Sequence, residues 1–469
     1  MSTLTDRLRE VVTPGAIPAR ATAGMPVATS RLTSSADAME AAAEVLGGEW
    51  CTAHSQPFLI VDRKYAGGYR HGHVSILDSL PPESGVWRHL ELLAGRSNPF
   101  RASDADVPRR PVFLDLETTG LAGGAGTYAF LVGCAWFEGA AFRIRQFFLS
   151  SFGAERAILE AVAELAKNAA CLVTFNGKTF DVPLIDTRFT LHRLASPFGA
   201  LPHVDMLHVA RRFWRSGSAD APDARRRKAD ELPEDGSDVD AMKGRGCRLS
   251  ELEQTVCGHE REGDVPGFEI PARYFHYVRS GDARQLEVVL EHNRLDLLSL
   301  ALLTARASRL LEDGPAGVDT PREALGMGFI YERAGLTGEA IAAYAHAAGL
   351  PCPAVDAPGA VWSSDGGTRA EALRAYALLA RRERRFEEAA LAWHCVLEVK
   401  QCPPQIAREA AEALAVHHEH RLRDLDVARR FAVQSLQYRS TATRAQAVQH
   451  RLKRLDRKMG RSPETEALF

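Results

Sequence analysis

Two carboxylates, Asp115 and Glu117, lie two residues apart in the segment VFLDLET. On a β-strand both would point to one face, while the apolar side chains of Val112, Leu114 and Leu116 would point to the other. The segment holds no Lys or Arg that could offset the repulsion between the two acids, and divalent cations would do so. A strand with one wet face explains the D-x-E pattern equally well when it is taken alone.

Asp181 begins the segment DVPLIDTRFTLHR, directly after the apolar run CLVTFNG. The carboxyl ends of strands are where an open α/β sheet presents its ligands, so this acid is well placed to join a site. The alternative is a helix-start carboxylate that satisfies free backbone N–H groups.

Asp296 lies in LEVVLEHNRLDLLSLALL, a predicted helix, with His292 one turn before it. The predicted apolar stripe of this helix is Leu286, Val289, Leu290, Asn293, Leu297 and Leu300. Asp296 and His292 lie at the edge of that stripe and would point together toward the core domain. A partly exposed i,i+4 pair is the alternative.

Together the four carboxylates have the order and settings that a two-metal phosphodiesterase needs. Two metals about 3.5–4 Å apart can bind the attacking water, the phosphate and the leaving oxygen. Oxygen ligands suit Mg²⁺ or Mn²⁺. His292 would accept the proton of the attacking water, because imidazole titrates near neutral pH.

Some neighbouring residues are weaker candidates. Thr118, Thr119 and Gly120 would line the path of a terminal nucleotide, and Asn176 would shape the turn before Asp181, although each fits a purely structural role equally well. A further acid at a predicted strand end, Asp205, is expected to support the metal ligands at most.

The elements that must position these side chains form an α/β pattern. PVFLDLETTG and CLVTFNG predict buried strands, TYAFLVGCAWFEG and AAFRIRQFFLS predict a hairpin that turns near Gly139, and AERAILEAVAELAKN predicts a helix. The expected order is strand, strand, strand, helix, strand, helix.

The region from about Pro111 to Ala307 resembles the YprB-like ribonuclease H-like proteins, a branch of the DEDD, DnaQ-type exonuclease superfamily. The resemblance lies in FLDLETTGLAGGAGTYAFLVG, LVTFNGKTFDVPLIDTRF, HVDMLHVARRFW, DVPGFEIPARYFHYVRSGD and HNRLDLLSL. It implies a mixed β-sheet flanked by helices, two divalent metals on Asp115, Glu117, Asp181 and Asp296, and 3′-5′ exonuclease hydrolysis. One departure is that superfamily members place Tyr with three intervening residues, or His with four, before the last Asp, whereas His292 precedes Asp296 with three.

The chain after Pro321 is Ala-rich and helical in pattern. Gly328, Tyr331, Ala340, Tyr344 and Ala347 match the small-aromatic-small spacing of a tetratricopeptide helix pair, and such a tail also follows the domain in the resembling family. Stacked pairs usually bind a partner protein. An unrelated helical bundle that braces the preceding domain is the alternative.

The predicted organisation has four parts: a mobile leader (1–45), a small region of uncertain type (46–105), the ribonuclease H-like domain (106–312, with a disordered insertion at 216–246) and helical repeats (320–469).

Composition limits the class of protein. The chain is 45% hydrophobic and 25% charged with a net charge of −2, which is ordinary for a globular protein and gives no global basic field. No run is long enough to span a membrane, and no secretory leader is recognisable, so a cytoplasmic protein is expected. The eight cysteines form no C-x-x-C pair, which predicts reduced thiols and no zinc site.

A basic run near the C-terminus predicts either a solvated helix end or a phosphate-binding arm. Its members are Arg451, Lys453, Arg454, Arg457, Lys458 and Arg461.

The leading hypothesis is therefore a metal-dependent nuclease that hydrolyses DNA or RNA, with a single-stranded end favoured. A catalytically weak binding or assembly scaffold that uses the helical tail is the alternative, because fold does not fix function. A metal-independent hydrolase is disfavoured, because the chain has no G-x-S-x-G nucleophile elbow.

Overall fold

The structure is a computed structural model that describes residues 35–53, 56–76, 86–95, 110–120, 124, 126–215, 247–351, 366–438 and 441–460. The chain divides into two compact units, Met1–Ala41 and Ala42–Phe469, and the first contributes only the beginning of one helix to the described residues. The predicted insertion at 216–246 and most of the predicted leader lie outside the described residues.

One mixed sheet of seven strands forms the centre of the second unit, in the order β1-β2-β7-β6-β5-β8-β9, and β3 and β4 form a separate small hairpin. The strands are β1 (Glu49–Ala53), β2 (Gln56–Tyr65), β3 (Arg70–His71), β4 (Val74–Ser75), β5 (Arg110–Thr118), β6 (Ala129–Glu138), β7 (Ala141–Phe148), β8 (Ala169–Thr174) and β9 (His203–Asp205). Antiparallel pairing joins β5 to β6, and parallel pairing joins β5 to β8 and β8 to β9.

Helices flank this sheet and form all of the regular structure after it. Those up to the third acidic motif are α1 (Ser35–Leu46), α2 (Val86–Ala94), α3 (Glu155–Ala166), α4 (Asp181–Leu191), α5 (Met206–Phe213), α6 (Leu249–Leu252), α7 (Ile270–Ser280) and α8 (Glu287–Asp313). The later ones are α9 (Pro321–Ala334), α10 (Thr337–Ala348), α11 (Gly366–Arg382), α12 (Phe386–Glu398), α13 (Pro404–His417), α14 (Leu425–Leu436) and α15 (Ala442–Lys458). Two π-helical turns, Glu253–Cys257 and His418–Leu422, follow α6 and α13.

The predicted strand and helix order is confirmed from β5 to α4, with the hairpin turn at Gly139 in the left-handed region (φ 58°). Strand β6 is apolar on both faces because it lies inside the sheet and is covered by packed elements on both sides. The predicted α/β class followed by an all-α region is likewise confirmed.

The structure differs from the predicted organisation in two places near the N-terminus. The leader was expected to reach residue 45, but α1 begins at Ser35; its buried face is made of small residues such as Ala42, which gave little apolar periodicity. The region 46–105 was expected to be separate, but β2 pairs along its length with β7 and so extends the central sheet. That pairing joins segments about 80 residues apart, which no local pattern reveals.

The helical region is continuous with the core of the sheet domain. Ala324 and Leu325 of α9 belong to the same buried cluster as Phe213 of α5, and Trp214 Nε1 donates to Glu323 Oε1 at 3.3 Å. Thr320 caps α9 by accepting from the Glu323 N–H, and Pro321 begins it. The helical region therefore braces the sheet domain, whatever else it binds.

The basic run of the last helix has a role that neither prediction anticipated. The buried carboxylate of Glu419 accepts hydrogen bonds from three of its members: Arg451, Arg454 and Lys458. Burial raises the pKa of Glu419, but these cations outweigh it and lower the pKa to about 2. Half of the run therefore stabilises the packing of α15 on the turn after α13.

In the described part of the chain, no helix is both long and apolar enough to cross a membrane. The seven cysteines found there are unpaired, as the sequence predicted.

Candidate metal centre

Strand β5 brings the first two acids to one face of the sheet. Val112 and Leu114 are buried on one side with α3 and α7, whereas Phe113 points to the other side, toward the helical region. Asp115 and Glu117 share the face of Phe113 and are only partly buried. The face of β5 that is buried at Phe113 thus carries a pair of carboxylates near its carboxyl end, as the alternation predicted.

Helix α8 lies over this face and fixes the first carboxylate through an amide. Asn293 Nδ2 donates to Asp115 Oδ2 at 2.7 Å, and Gln146 Nε2 donates to Asn293 Oδ1 at 2.8 Å. Gly133 lies between Asp115 and Gln146 in the strand register, and a Cβ there would lie 2.3 Å from Asn293 Oδ1. The glycine is therefore needed for Asn293 to reach Asp115.

Helix α4 brings in the third acid from the far end of β8. Asp181 is its first residue, and the residue before it, Phe180, makes no side-chain cap. The loop before α4 is held by Asp205, which accepts from the N–H groups of Asn176 at 2.8 Å and Lys178 at 3.0 Å. Asn176 has φ 64°, a conformation that Asn tolerates better than most residues. Asp205 thus positions the turn that presents Asp181.

The fourth acid, Asp296, faces a cation that the sequence analysis missed. Arg261 Nη2 donates to Asp296, and its other nitrogens bind Glu253 Oε2 at 2.6 Å and Asp264 Oδ2 at 3.2 Å. His292 donates from Nδ1 to Asp264 Oδ1 at 2.7 Å, which leaves Nε2 on the side of Asp296, 3.7 Å from Oδ2. Asp264 therefore sets the orientation of the imidazole.

The four acids interact strongly with one another. Burial, followed by the charges of Asp296, Glu117 and Asp181, raises the pKa of Asp115 well above its ordinary value. Burial and the charges of Asp296 and Asp181 do the same to the pKa of Glu117. Burial, Asp205 and Asp296 raise the pKa of Asp181 to about 7. The site thus concentrates negative charge in a poorly solvated place.

The same negative charges act on the imidazole of His292, whose charged form they stabilise. Burial lowers its pKa, but the hydrogen bond to Asp264 and the charge of Asp296 outweigh burial, so the net pKa is raised. The charge of Asp296 therefore favours the imidazolium, whereas burial and the charge of Arg261 oppose it.

The donor set suits hard divalent cations, because the four acids offer only oxygen. In the part of the chain that the structure describes, the one group of His, Cys or acidic side chains whose ligand atoms all lie within 4.8 Å of one another is elsewhere, at His71, Glu253 and His259. No three of the four carboxylates bring their ligand atoms within that distance of one another.

Of the weaker candidates, two are used in local bonds. Thr118 Oγ1 donates to the Gly120 carbonyl at 3.0 Å, and Thr119 Oγ1 accepts from the Tyr128 N–H at 2.9 Å. These bonds fix the conformation of the backbone that follows β5, and Gly120 lies at the edge of the site.

The sequence contained a signal for Asn293, a polar residue in the middle of an apolar stripe, because a buried amide requires partners. Arg261 and Asp264 gave no such signal, since they come from a segment without regular periodicity.

One comparison with known proteins covers this same region. A family model described as RNase_H superfamily matches residues 112–308. The uncharacterized protein YprB of Bacillus subtilis (strain 168) is 31% identical over 272 residues, which covers 56% of this chain and 57% of YprB. The chain thus spans little more than half the length of that relative.

A solved structure is also similar, though weakly. The family B DNA polymerase from the hyperthermophilic archaeon Pyrobaculum calidifontis matches with a TM-score of 0.31 and 12% identity over 51% of this chain and 29% of the polymerase chain. The mixed sheet flanked by helices and the family match over residues 112–308 show a ribonuclease H-like fold in this part of the chain.

Proposed function

We propose that the protein is a nuclease that hydrolyses phosphodiester bonds from a 3′ end with two divalent metals, Mg²⁺ or Mn²⁺. The observation that supports this most is the convergence of Asp115, Glu117, Asp181 and Asp296, because the charge of Asp296 raises the pKa of each of the other three. A fold retains such mutual repulsion only where some cation or proton relieves it.

The carboxylates would hold the metals, and bound metals would supply Lewis-acid stabilisation of the phosphate and a more acidic water. The remaining residues position these groups. Asn293 fixes one oxygen of Asp115, and Asp205 fixes the loop before Asp181. Arg261 binds Asp296 of α8 and offsets part of the charge.

His292 would accept the proton of the attacking water through Nε2. Its Nδ1–H is bound to Asp264, so the free nitrogen is the one on the side of Asp296. Cations that offset the charge of Asp296 would remove part of what raises this pKa, which would favour the neutral imidazole as a base in the loaded site.

Nucleic acid fits the surface beside the carboxylates. Phe180 directly precedes Asp181 and is 56% exposed, and Phe268, four residues after Asp264, is 75% exposed. Exposed aromatic rings stack on the bases of single strands without sequence preference. A single-stranded end is therefore the substrate we favour.

The helical region supports a second role, assembly through tetratricopeptide-like repeats. Consecutive helices from α9 to α15 pack against one another, and a Cβ at Gly328 would lie 2.3 Å from Tyr344, so a small residue admits the aromatic ring of the next helix. Stacked helix pairs of this kind present a surface to a partner protein.

The test is the degradation of 3′-end-labelled and 5′-end-labelled single-stranded DNA and RNA with Mg²⁺ or Mn²⁺. Wild type should shorten strands from the 3′ end, and Asp181→Asn should not. Glu164→Gln, at a carboxylate that is 71% exposed on α3, is the control that should keep wild-type activity.

Loss of activity in Asp181→Asn with a native circular dichroism spectrum would support the metal ligands. Undiminished cleavage by Asp181→Asn would refute the metal assignment, and absence of cleavage of all four substrates by wild type would favour the assembly role.

A further inference from the structure

A second group of metal-type side chains lies apart from the four acids. The β3–β4 hairpin places His71 against the π-turn Glu253–Cys257 and the residue His259 that follows it. The imidazoles of His71 and His259 stack with their centroids 4.0 Å apart, and Glu253 is fully buried beneath them. Segments more than 180 residues apart in sequence thus converge on one point.

Two glycines make this approach possible. Gly72 has φ 64°, and a Cβ there would lie 2.1 Å from the Cys257 carbonyl oxygen. Gly258 has φ 65°, and a Cβ there would lie 2.1 Å from His73 Nδ1. The His73 N–H also donates to the Cys257 carbonyl at 3.0 Å. The backbones are therefore in contact, and the histidines are held in place from both sides.

The two oxygens of Glu253 face different groups. Arg261 donates to Oε2, whereas the buried Oε1 faces the imidazoles of His71 and His259. His71 Nε2 lies 2.8 Å from this Oε1 but is hydrogen-bonded to Ser299 Oγ, and His259 Nε2 lies 3.8 Å from the same oxygen. Two imidazole nitrogens thus lie around one buried carboxylate oxygen.

These distances suit a tetrahedral ion. Bonds of about 2.0–2.1 Å to Zn²⁺ place neighbouring ligand atoms roughly 3.3 Å apart. The two N–O separations of 2.8 and 3.8 Å lie on either side of that value, so small side-chain movements would suffice. Two imidazoles and one carboxylate form a known zinc donor set with a fourth position for water.

We propose that His71, Glu253 and His259 form a zinc site, which the scattered cysteines gave no reason to expect. The site would fasten the β3–β4 hairpin to the π-turn, and through Glu253 to Arg261, which holds Asp296 of the acidic site. A structural ion is therefore inferred next to the catalytic region, independent of whether the protein is a nuclease.

The experiment measures zinc in the full chain, purified without an affinity tag. Metal is removed with a chelator, Zn²⁺ is titrated back in competition with a chromogenic chelator, and bound zinc is counted by mass spectrometry. His259→Gln is the test variant. His192→Gln is its matched control, because that imidazole is 28% exposed against 27% for His259 and also lies beside a buried glutamate.

Wild type, His192→Gln and Asp181→Asn should each bind one zinc per chain tightly, and His259→Gln should bind it about tenfold or more weakly. Cobalt in place of zinc should give the visible bands of a tetrahedral site in wild type, which checks the site without a variant.

Failure of wild type to take up zinc would overturn the proposal, as would equal affinity in His259→Gln. Loss of the zinc in Asp181→Asn would also overturn it by assigning the ion to the acidic site. Nuclease activity with Mg²⁺ is measured separately, so either proposal can fail while the other stands.

Discussion

Replacing Asp181 with Asn should stabilise the metal-free protein at alkaline pH while it abolishes hydrolysis. Burial and the charges of Asp205 and Asp296 raise the pKa of Asp181 from 3.8 to about 7 in the folded chain. In the unfolded chain the carboxyl regains its ordinary value. Between these two pKa values the folded state binds more protons than the unfolded state, so the free energy of unfolding falls as pH rises.

The magnitude follows from the gap between the two pKa values. One pKa unit corresponds to about 1.4 kcal/mol, so a rise from 3.8 to about 7 would cost the wild-type fold about 4 kcal/mol above pH 7. Asp181 is partly solvent-exposed, which reduces the penalty to about 2 kcal/mol in practice. An amide has no charge to bury, so Asp181→Asn avoids this cost above pH 7 and gains almost nothing near pH 4.

Urea unfolding of wild type and Asp181→Asn in a chelator, from pH 4 to pH 8, measures this gain. The difference in unfolding free energy should grow with pH and level off above pH 7, and Mg²⁺ should stabilise wild type more than the variant. Glu164→Gln should show no such growth. A difference independent of pH, or a destabilised variant at pH 8, would refute the reasoning.

Three further predictions concern other parts of the chain. Gly133→Ala should lower kcat about tenfold or more, because the added Cβ displaces Asn293 from Asp115, whereas the metal affinity of other sites in the fold should not change. Steady-state nuclease kinetics would test this, and an unchanged kcat would contradict it. Phe180→Ala should raise KM for single strands with little change in kcat, since the exposed ring offers stacking rather than chemistry, and a loss confined to kcat would count against a binding role. Glu419→Gln should destabilise the chain by up to about 3 kcal/mol at pH 7, because the folded pKa of about 2 lies below the ordinary 4.5. This stabilisation is present above pH 4.5 and is lost as pH falls toward 2, so the difference between the melting curves of wild type and variant should narrow on acidification. A difference that stays constant with pH would argue against the charge effect.

The sequence predicted the elements that have their own periodicity. Strand β5 and helix α8 could be read directly, because alternation and a 3.6-residue stripe are local properties of the chain. The same patterns placed Asp115 with Glu117 on one face and Asp296 beside His292. The convergence of these acids on Asp181 was expected from the resemblance and from the position of strand ends, and periodicity alone could not have given it.

The contacts that tune the site could not be predicted in the same way. Arg261 and Glu253 come from a segment with a π-turn and loops, and their partners lie on α8, on the β3–β4 hairpin and in the same loop. The role of each of these side chains depends on neighbours that are distant in sequence. Local sequence patterns specify which residues share a face. Contacts between residues that are distant in sequence form only when the chain packs, so local patterns do not reveal them.

Arg261 bears on how the fold tolerates its acidic site without metal. Of the four carboxylates, Asp296 is the one that this guanidinium binds directly, and Asp115 has only a neutral amide from Asn293. If a cation balanced every acid, the site would be stable when empty and would gain little from metal. Because Arg261 binds only one of the four acids directly, Asp115, Glu117 and Asp181 keep a mutual repulsion that bound divalent ions would relieve.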